Sequence, residues 1–186
     1  VVWGEFLTDW HPGEGYRTGY AARPELGGGV HHTICHPFDY LRMLLGEVVH
    51  VSGALSAAHP LGLEVPEAAD AWLGFADDVT ATVHLDYWTR PQTHRLEVTG
   101  SDGSITWDYI AGRCTVWTRE TGPVEEPSPG VDARNDLFVA QSRHFLDVVA
   151  GRAEPACALR DGIAAVRIAD AIGRSSAQDG ARVALG

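Results

Sequence analysis

An alternating block in the middle of the chain limits the possible folds more than any other feature. From Val79 to Trp88, apolar residues alternate with Thr, His, Asp and Trp side chains, which is a period of two. This pattern predicts a β-strand with one apolar face and one mixed face. The pair Asp77-Asp78 and the triplet Ser101-Asp102-Gly103 are typical of turns, so both indicate antiparallel hairpins with neighbouring strands.

Helical patterns flank this block. One helix is predicted from Pro37 to Leu45, and we expect Gly46 to end it as a left-handed residue. A second is predicted from Asn135 or Asp136 to about Ala150, and a third from Leu159 to Ala177. The segment from Gly122 to Asn135, rich in Pro and Gly, is predicted to be a surface loop. Together these elements predict an α+β domain with an open, mostly antiparallel sheet and helices packed on one face.

Composition excludes several classes of function. The 186 residues are 45% hydrophobic, which suits one globular domain over the whole chain, residues 1–186. A net charge of -11 argues against nucleic-acid or anionic-membrane partners. The sequence has no lysine, so Schiff-base and phosphate-loop lysines are excluded. No apolar run spans a bilayer and the first residues lack a signal-peptide pattern, so we expect a cytoplasmic protein.

Cysteine usage agrees with that compartment. The chain has three cysteines, Cys35, Cys114 and Cys157, which are widely spaced and form no CxxC motif. An odd number of separated cysteines indicates reduced thiols, and we expect all three to serve as small buried hydrophobic residues.

The stretch GGGVHHTICHPFDYLRMLLG, from Gly27 to Gly46, concentrates glycines, histidines and an aspartate in twenty residues. Its glycines fit neither the GxGxxG dinucleotide motif nor the GxxxxGK[ST] phosphate loop. We therefore expect Gly28 and Gly29 to be structural, at a tight turn or a close backbone approach.

The same stretch contains a possible zinc site. His32, His36 and Asp39 would share one face of a continuous helix. Pro37 argues against that helix, because a residue before proline is disfavoured in the helical region, so the helix should begin at Pro37 with His36 extended. Without a shared face the three side chains do not form a metal site, and no metal is predicted. His31 and His32 would then be solvated or hydrogen-bonded residues of a strand end.

The proline also makes His36 a candidate base. At the N-cap of the helix, the positive end of the helix dipole disfavours a charged imidazole, and a neutral imidazole can accept a proton. Asp39 in the first turn can cap the backbone N–H of His36, which is a structural role, or take part in the chemistry. Pro37 is structural in either case.

These residues resemble the C-terminal domain of the glucose-fructose oxidoreductase, inositol dehydrogenase and rhizopine catabolism (Gfo/Idh/MocA) family. The likeness covers GGGVHHTICHPFDYLRMLLGEVVHVSG, the preceding DWHP element at 9–12, the Tyr16-Arg17 pair, and the tail from Arg143 to Leu185. Family members join a Rossmann domain carrying GxGxxG to this domain and transfer a hydride between NAD or NADP and a hydroxyl carbon of a sugar, cyclitol or nucleotide sugar. The sequence has no GxGxxG and no Lys of the family's Glu-Lys-Pro element, so we expect it to be part of a longer enzyme, inactive alone and without a cofactor site of its own.

The resemblance also implies site residues. His36 matches the family's proton-shuttling histidine. Thr33 and His32 are alternatives for a second residue that contacts the substrate, because the family branches differ in register by one residue. A preceding loop that lines the substrate pocket in the family would here present Trp10, His11, Arg17 and Tyr20.

The resemblance leaves two other functions open. The chain can be a non-catalytic relative that serves in oligomerisation or ligand binding, or, with His32, His36 and Asp39, a zinc-dependent hydrolase. The family forms dimers or tetramers through the sheet face opposite the helices, and Trp88 and Trp117 are candidate contacts there. Neither the substrate nor the choice between NAD and NADP is encoded in recognisable residues of this chain.

Overall fold

The computed structural model describes residues 1–7 and 15–186. These residues form two compact units. The first unit combines Val1–Thr93 with Arg160–Gly186, and the second unit is His94–Leu159.

The first unit contains a mixed sheet. Its strands are β1 (Val2–Gly4), β2 (Val48–Leu55), β3 (Ala68–Phe75), β4 (Thr80–Asp86) and β9 (Val183–Ala184). Their order across the sheet is β1-β4-β3-β2-β9. β1 runs parallel to β4, whereas β4, β3, β2 and β9 pair antiparallel. The alternating block is therefore a strand, as predicted.

Three helices belong largely to this unit: α1 (Val30–Thr33), α2 (His36–Leu45) and a longer helix over Leu159–Ser176, which is named α4 below because another helix precedes it. The long helix packs on β2, where Ile172 lies against Gly53. The Ser175 hydroxyl accepts the Gly53 N–H at 2.9 Å, and the Ser176 hydroxyl accepts the Leu55 N–H at 3.0 Å. Gly53 permits this contact because a Cβ there would meet Ile172 at 3.0 Å.

The helices lie on one face of the first unit's sheet. Residues paired across neighbouring strands point to the same face. Gly53 pairs with Ala71, which pairs with Val83, and Trp3 pairs with Leu85 two residues further along the same strand. Because the long helix contacts Gly53 and the Trp3 ring contacts the first residue of α2, both helices lie on that face. The prediction of an open, mostly antiparallel sheet covered on one face is confirmed.

The opposite face of this sheet is more exposed within the unit. It carries Asp70 and Trp72 of β3 and Thr82 and His84 of β4, which pair as Asp70–His84 and Trp72–Thr82. Trp72 is 38% exposed, which is high for an aromatic side chain in a strand. The β3–β4 hairpin turns at Asp77 and Asp78, with φ of 58° and 60°, so the predicted turn is confirmed.

The second unit is an antiparallel meander followed by a helix. Its strands are β5 (Thr93–Thr99), β6 (Gly103–Asp108), β7 (Arg113–Thr118) and β8 (Gly122–Pro127), and its helix is α3 (Arg134–Val149). Each strand pairs with the next one along the chain, and the predicted turn before Gly103 joins β5 to β6.

The predicted loop from Gly122 to Asn135 is partly wrong. Its first half is β8, and α3 begins at Arg134, just after a short 3-10 turn over Val131–Ala133. Pro123 and Pro127 resemble a loop in sequence, but β8 is the outermost strand, and an edge strand tolerates residues that lack an N–H donor.

The predicted helix boundaries agree with the structure to within one or two residues. The long helix, α4 (Leu159–Ser176), ends one residue earlier than predicted. Gly46 has a positive φ of 89°, but its ψ of -168° is extended and not left-handed helical as expected. Among the described residues, no helix is both long and apolar enough to cross a membrane.

Candidate active site

The glycine segment brings two parts of the backbone together. A Cβ on Gly28 would lie 2.5 Å from the carbonyl oxygen of Tyr20, and the Gly28 and Gly29 N–H groups donate to Arg23 and Ala21. Gly29 has φ 115° and ψ 144°, a conformation that is essentially restricted to glycine. Both glycines thus allow a close backbone approach, which fixes the Tyr20–Arg23 segment against the start of α1.

The histidines lie on two short helices. His31 and His32 belong to α1, so the strand end predicted for them is wrong. α2 begins one residue earlier than predicted: Cys35 is its N-cap, and His36 is its first helical residue and not an extended N-cap. Pro37 is tolerated in the first turn, where a missing N–H removes no intrahelical hydrogen bond. The preference of a pre-proline residue for extended backbone is overcome here, because α2 buries Phe38 completely.

His36 is exposed and lies against an aromatic ring. Its imidazole stacks on Trp3 of β1 with ring centroids 5.8 Å apart and an angle of 25° between the planes. A flat indole beside an accessible imidazole restricts the orientation of the imidazole and leaves one side open to a ligand. The role of Trp3 could not be predicted, because nothing in VVWGEF marks one apolar residue of a short strand as a contact of α2.

His32 is held by the long helix. Its Nε2 lies 3.1 Å from Oδ1 of Asp170 on α4, and both side chains are partly exposed. This pair could not be predicted from the sequence, since Asp170 lies 138 residues away on a helix with an ordinary amphipathic pattern. His32 and His36 lie on separate helices, and in the described part of the chain no three His, Cys, Asp or Glu side chains come together as metal ligands.

His31 is buried between α1 and the glycine segment. It is 6% exposed, and its ring lies 3.1 Å from the Cβ position of Gly29. Burial, with a smaller contribution from the neighbouring His32, lowers the pKa of His31 to about 4, although Asp170 opposes the shift. His31 is therefore neutral at physiological pH and supports the position of His32, whose ring centroid is 4.2 Å away.

Two tyrosines lie beside these helices. Burial raises the pKa of the Tyr20 phenol, and the nearby Cys35 thiol adds to the effect. Burial also raises the pKa of Tyr87, while the Thr33 hydroxyl lies close enough to oppose that shift. The Tyr87 hydroxyl donates to the Ala21 carbonyl at 3.3 Å. Thr33 and Tyr20 are thus parts of one hydroxyl-bearing cluster, and Tyr87, absent from the sequence prediction, is its buried member.

Asp39 lies in the first turn of α2, as predicted. Its Oδ1 is 3.4 Å from Nη1 of Arg42, and Arg42 also contacts Glu47 and Asp161. Burial raises the pKa of the Cys35 thiol, and the Asp39 charge adds to this increase. These contacts fit a structural role for Asp39 at the start of the helix.

The predicted pocket loop is only partly described. Trp10 and His11 lie outside the described residues. Arg17 and Tyr16 are described, and both donate to the same acceptor, the Leu61 carbonyl, at 2.8 Å and 3.2 Å. The Arg17 guanidinium also lies 4.7 Å from the centre of the Tyr16 ring.

Residues 1–106 match the family described as the GFO/IDH/MocA C-terminal domain, which is more than half of the chain. The chain belongs to this family. No curated protein sequence matches it.

Solved structures share the fold. A levoglucosan dehydrogenase in complex with NADH and levoglucosan has a TM-score of 0.83 and 18% identity, with 98% of this chain and 56% of that chain covered. An aldose-aldose oxidoreductase from Caulobacter crescentus, complexed with glycerol, has a TM-score of 0.78 and 24% identity, with 99% and 54% covered. An oxidoreductase from Agrobacterium radiobacter in complex with NAD+, L-tartaric acid and magnesium has a TM-score of 0.73 and 20% identity, with 98% and 55% covered. This chain therefore spans little more than half the length of these relatives.

Proposed function

We propose that this chain is the substrate-binding half of an NAD- or NADP-dependent oxidoreductase that acts on a hydroxyl carbon of a sugar, cyclitol or nucleotide sugar. The observation that carries the proposal is the exposed His36 imidazole, which stacks on Trp3 at the start of α2. The family match supports the same class of reaction, and so do two fold relatives, one in complex with NADH and levoglucosan and the other with glycerol.

The nucleotide cofactor fits this chain only in part. An accessible imidazole suits the proton transfer that accompanies oxidation of an alcohol. The glycine segment does not fit a pyrophosphate, because the Gly28 and Gly29 N–H groups already donate to backbone carbonyls. We therefore propose that a Rossmann domain outside this sequence holds the dinucleotide, and that this chain alone is inactive and binds neither NADH nor NADPH. Low-micromolar binding of either one to the chain in calorimetry would contradict this assignment.

In this mechanism His36 accepts the proton of the substrate hydroxyl. A nicotinamide held by the proposed Rossmann domain would supply the hydride acceptor for the same carbon. In the reverse direction His36 returns the proton. Trp3 restricts the imidazole on one side, and Arg17 and Tyr20 contact the remaining hydroxyls of the substrate. Thr33 and His32 remain alternatives for the second contact near the reacting carbon, and Trp10 and His11 are proposed contacts from the loop.

Replacing His36 in the intact enzyme tests the proposal. His36→Ala should lower kcat by roughly 10²- to 10⁴-fold, the usual contribution of a general base, with little change in folding or cofactor affinity. His36→Asn should be nearly as inactive, because an amide cannot carry the proton at neutral pH. His59→Ala, at an exposed histidine of the same unit, is the matched control and should retain activity.

Two results would contradict the catalytic role of His36. The first is near-normal kcat in His36→Ala together with a lower melting temperature, which indicates a structural histidine. The second is full activity of His36→Asn. If the intact wild-type protein oxidises no member of a polyol panel with NAD or NADP, the alternative of a non-catalytic ligand-binding or oligomerisation relative is favoured.

We also propose that the cytoplasmic enzyme forms a dimer or tetramer through the open sheet face of the first unit. Trp72 is the exposed aromatic residue on that face. Trp88 is half-buried beyond the end of β4, and Trp117, 46% exposed, lies on β7 of the second unit. Trp72→Ser should raise the dissociation constant of the oligomer about tenfold or more, since aromatic residues often supply most of the binding energy of an interface. A monomer in light scattering at ~100 μM would contradict association, because a standard-size interface holds at that concentration.

A further inference from the structure

We propose that Glu67 is a positioning residue for the substrate pocket, acting through the loop at 61–63 on Arg17. Glu67 lies just before β3 and is 0% exposed. A fully buried glutamate is uncommon and is costly unless its oxygens are hydrogen-bonded. The inference rests on the proposed function, because it assigns to Arg17 a contact with the substrate.

Both carboxylate oxygens of Glu67 accept hydrogen bonds from one loop. Oε2 accepts the Leu61 N–H at 2.9 Å, and Oε1 accepts the Leu63 N–H at 3.0 Å. Charge-assisted hydrogen bonds of this kind are stronger than bonds between neutral groups. The side chains of Leu61 and Leu63 are each 6% exposed, so the loop is fixed by packing as well as by the carboxylate.

The backbone of Leu61 connects Glu67 to the residues proposed to contact the substrate. Its N–H is held by Glu67, and its carbonyl accepts both the Arg17 guanidinium at 2.8 Å and the Tyr16 hydroxyl at 3.2 Å. Arg17 is exposed, so this carbonyl is a principal constraint on where its charge lies. A peptide unit is planar, so fixing its N–H also fixes the direction of the carbonyl before it and, through Cα, limits the carbonyl after it.

The backbone around Glu67 reaches the rest of the site. The Pro66 carbonyl accepts the N–H of Val30, the first residue of α1, and the Glu67 carbonyl accepts the N–H of Tyr87. The segment of Pro66 and Glu67 thus contacts the helix that carries His32 and Thr33, as well as the strand end that carries the buried phenol. No sequence pattern marks Glu67, since VPEAADAW reads as an ordinary strand start.

The test compares Glu67→Gln with Glu64→Gln in the intact enzyme. Gln has nearly the same shape, but its NH₂ group faces one of the two N–H donors, so one anchor of the loop is lost. We expect KM for the polyol to rise roughly tenfold in Glu67→Gln while kcat changes by less than about threefold, because Arg17 binds the substrate away from the reacting carbon. Glu64 is exposed on the same loop, and Glu64→Gln should match wild type.

A double-mutant cycle separates positioning from general stability. If Glu67 acts through Arg17, then Glu67→Gln with Arg17→Ala should raise KM no more than Arg17→Ala alone, within about twofold. Independent, multiplying effects on KM would overturn the inference. So would an unchanged KM in Glu67→Gln, even with the proposed function intact, whereas wild-type protein inactive on every polyol would overturn both.

Of two further measurements, the first needs no activity and the second needs no Glu67 variant. In this chain, amide hydrogen exchange at Leu61 and Leu63 should be at least tenfold faster in Glu67→Gln than in Glu64→Gln, and equal rates would overturn the inference. Tyr16→Phe leaves Glu67 in place and removes one donor to the Leu61 carbonyl, so it should raise KM about two- to threefold. An unchanged KM in Tyr16→Phe would show that this carbonyl does not position the pocket.

Discussion

Two helices of similar length, α3 in the second unit and α4 mainly in the first, bury very different surfaces. α4 buries six residues: Ala165, Ile168, Ala169, Ala171, Ile172 and Ser175. α3 buries none, although it contains apolar residues such as Phe138, Phe145 and Leu146. The comparison shows that apolar spacing is enough to form a helix, but that burial requires a complementary sheet surface such as the one Gly53 leaves open.

The two units differ in the same way. In the second unit, Leu96 at 9% exposure is the hydrophobic residue with the least exposed surface. The first unit has fully buried residues from its sheet and from three helices, including Val30, Phe38, Leu73 and Ile172. The candidate active site lies in the first unit, where a close-packed interior holds side chains in fixed positions.

The largest expected contrast is between two phenylalanines. Phe38 on α2 is 0% exposed, whereas Phe138 on α3 is 55% exposed. Phe38→Ala should lower the free energy of unfolding by about 3–5 kcal/mol, because it leaves a cavity in a packed core. Phe138→Ala should change it by less than ~1 kcal/mol. Urea unfolding followed by circular dichroism measures both, and equal losses would remove the distinction between the units.

Acid should act on the first unit through His31. Its pKa is lowered from 6.5 to about 4 in the folded protein, so the unfolded chain binds the proton first. Stability is therefore unaffected above pH 6.5 and falls as the pH drops from 6.5 to 4. At ~1.4 kcal/mol per pKa unit, the full loss is about 3–4 kcal/mol.

The His31 prediction is measured as the difference in pH dependence between variants. His31→Gln should flatten the loss of stability between pH 6.5 and 4, whatever its effect at neutral pH. His144→Gln, in the second unit, should keep the wild-type slope. If His31→Gln also keeps that slope, His31 is not the buried group responsible for acid sensitivity.

A smaller effect is expected at alkaline pH on the open sheet face. Hydrogen bonds to Asp86 at 3.2 Å and to Asp70 at 2.8 Å together raise the pKa of His84 to about 9, although partial burial opposes the increase. The folded state therefore binds the His84 proton more tightly than the unfolded chain does. The contribution of His84 to the free energy of unfolding is complete below pH 6.5 and is lost as the pH rises through 9. His84 is more than a third exposed, so solvent screening limits the loss to less than ~1 kcal/mol.

An ion pair of the second unit provides the contrast for His84. Nε of Arg95 lies 2.8 Å from Oδ2 of Asp108, and arginine stays charged throughout this pH range. Unfolding measured from pH 6 to 10 should therefore show a decline that His84→Gln removes and Arg95→Gln does not. A decline that is equally steep in His84→Gln would locate the alkaline sensitivity elsewhere.

The sequence predicted the elements that depend on local patterns. The period of two predicted β4, and the Asp77-Asp78 pair predicted the hairpin turn before it. Helical spacing predicted α4 to within one residue. β8 was missed because Pro and Glu are poor strand formers in isolation, and only the position of β8 at the sheet edge makes them acceptable.

The stretch around His36 and the glycines stands out in the sequence, and the structure places Gly28 at a close backbone approach. The role of these residues at the candidate site stays a prediction. The contacts that hold the site were missed, because Trp3, Asp170 and Glu67 reach it from distant strands, helices or loops. Such pairings depend on tertiary packing, and a single sequence contains no periodic signal for them.

The composition of β8 has a consequence for how the protein behaves at high concentration. An unpaired strand edge is a template on which another chain can add a strand, and this is a common first step in aggregation. Pro123 and Pro127 lack N–H donors, and Glu125 and Glu126 place two negative charges between them. A second copy approaching this edge meets repulsion and missing donors, so sheets of neighbouring molecules are kept from merging into fibrils along β8.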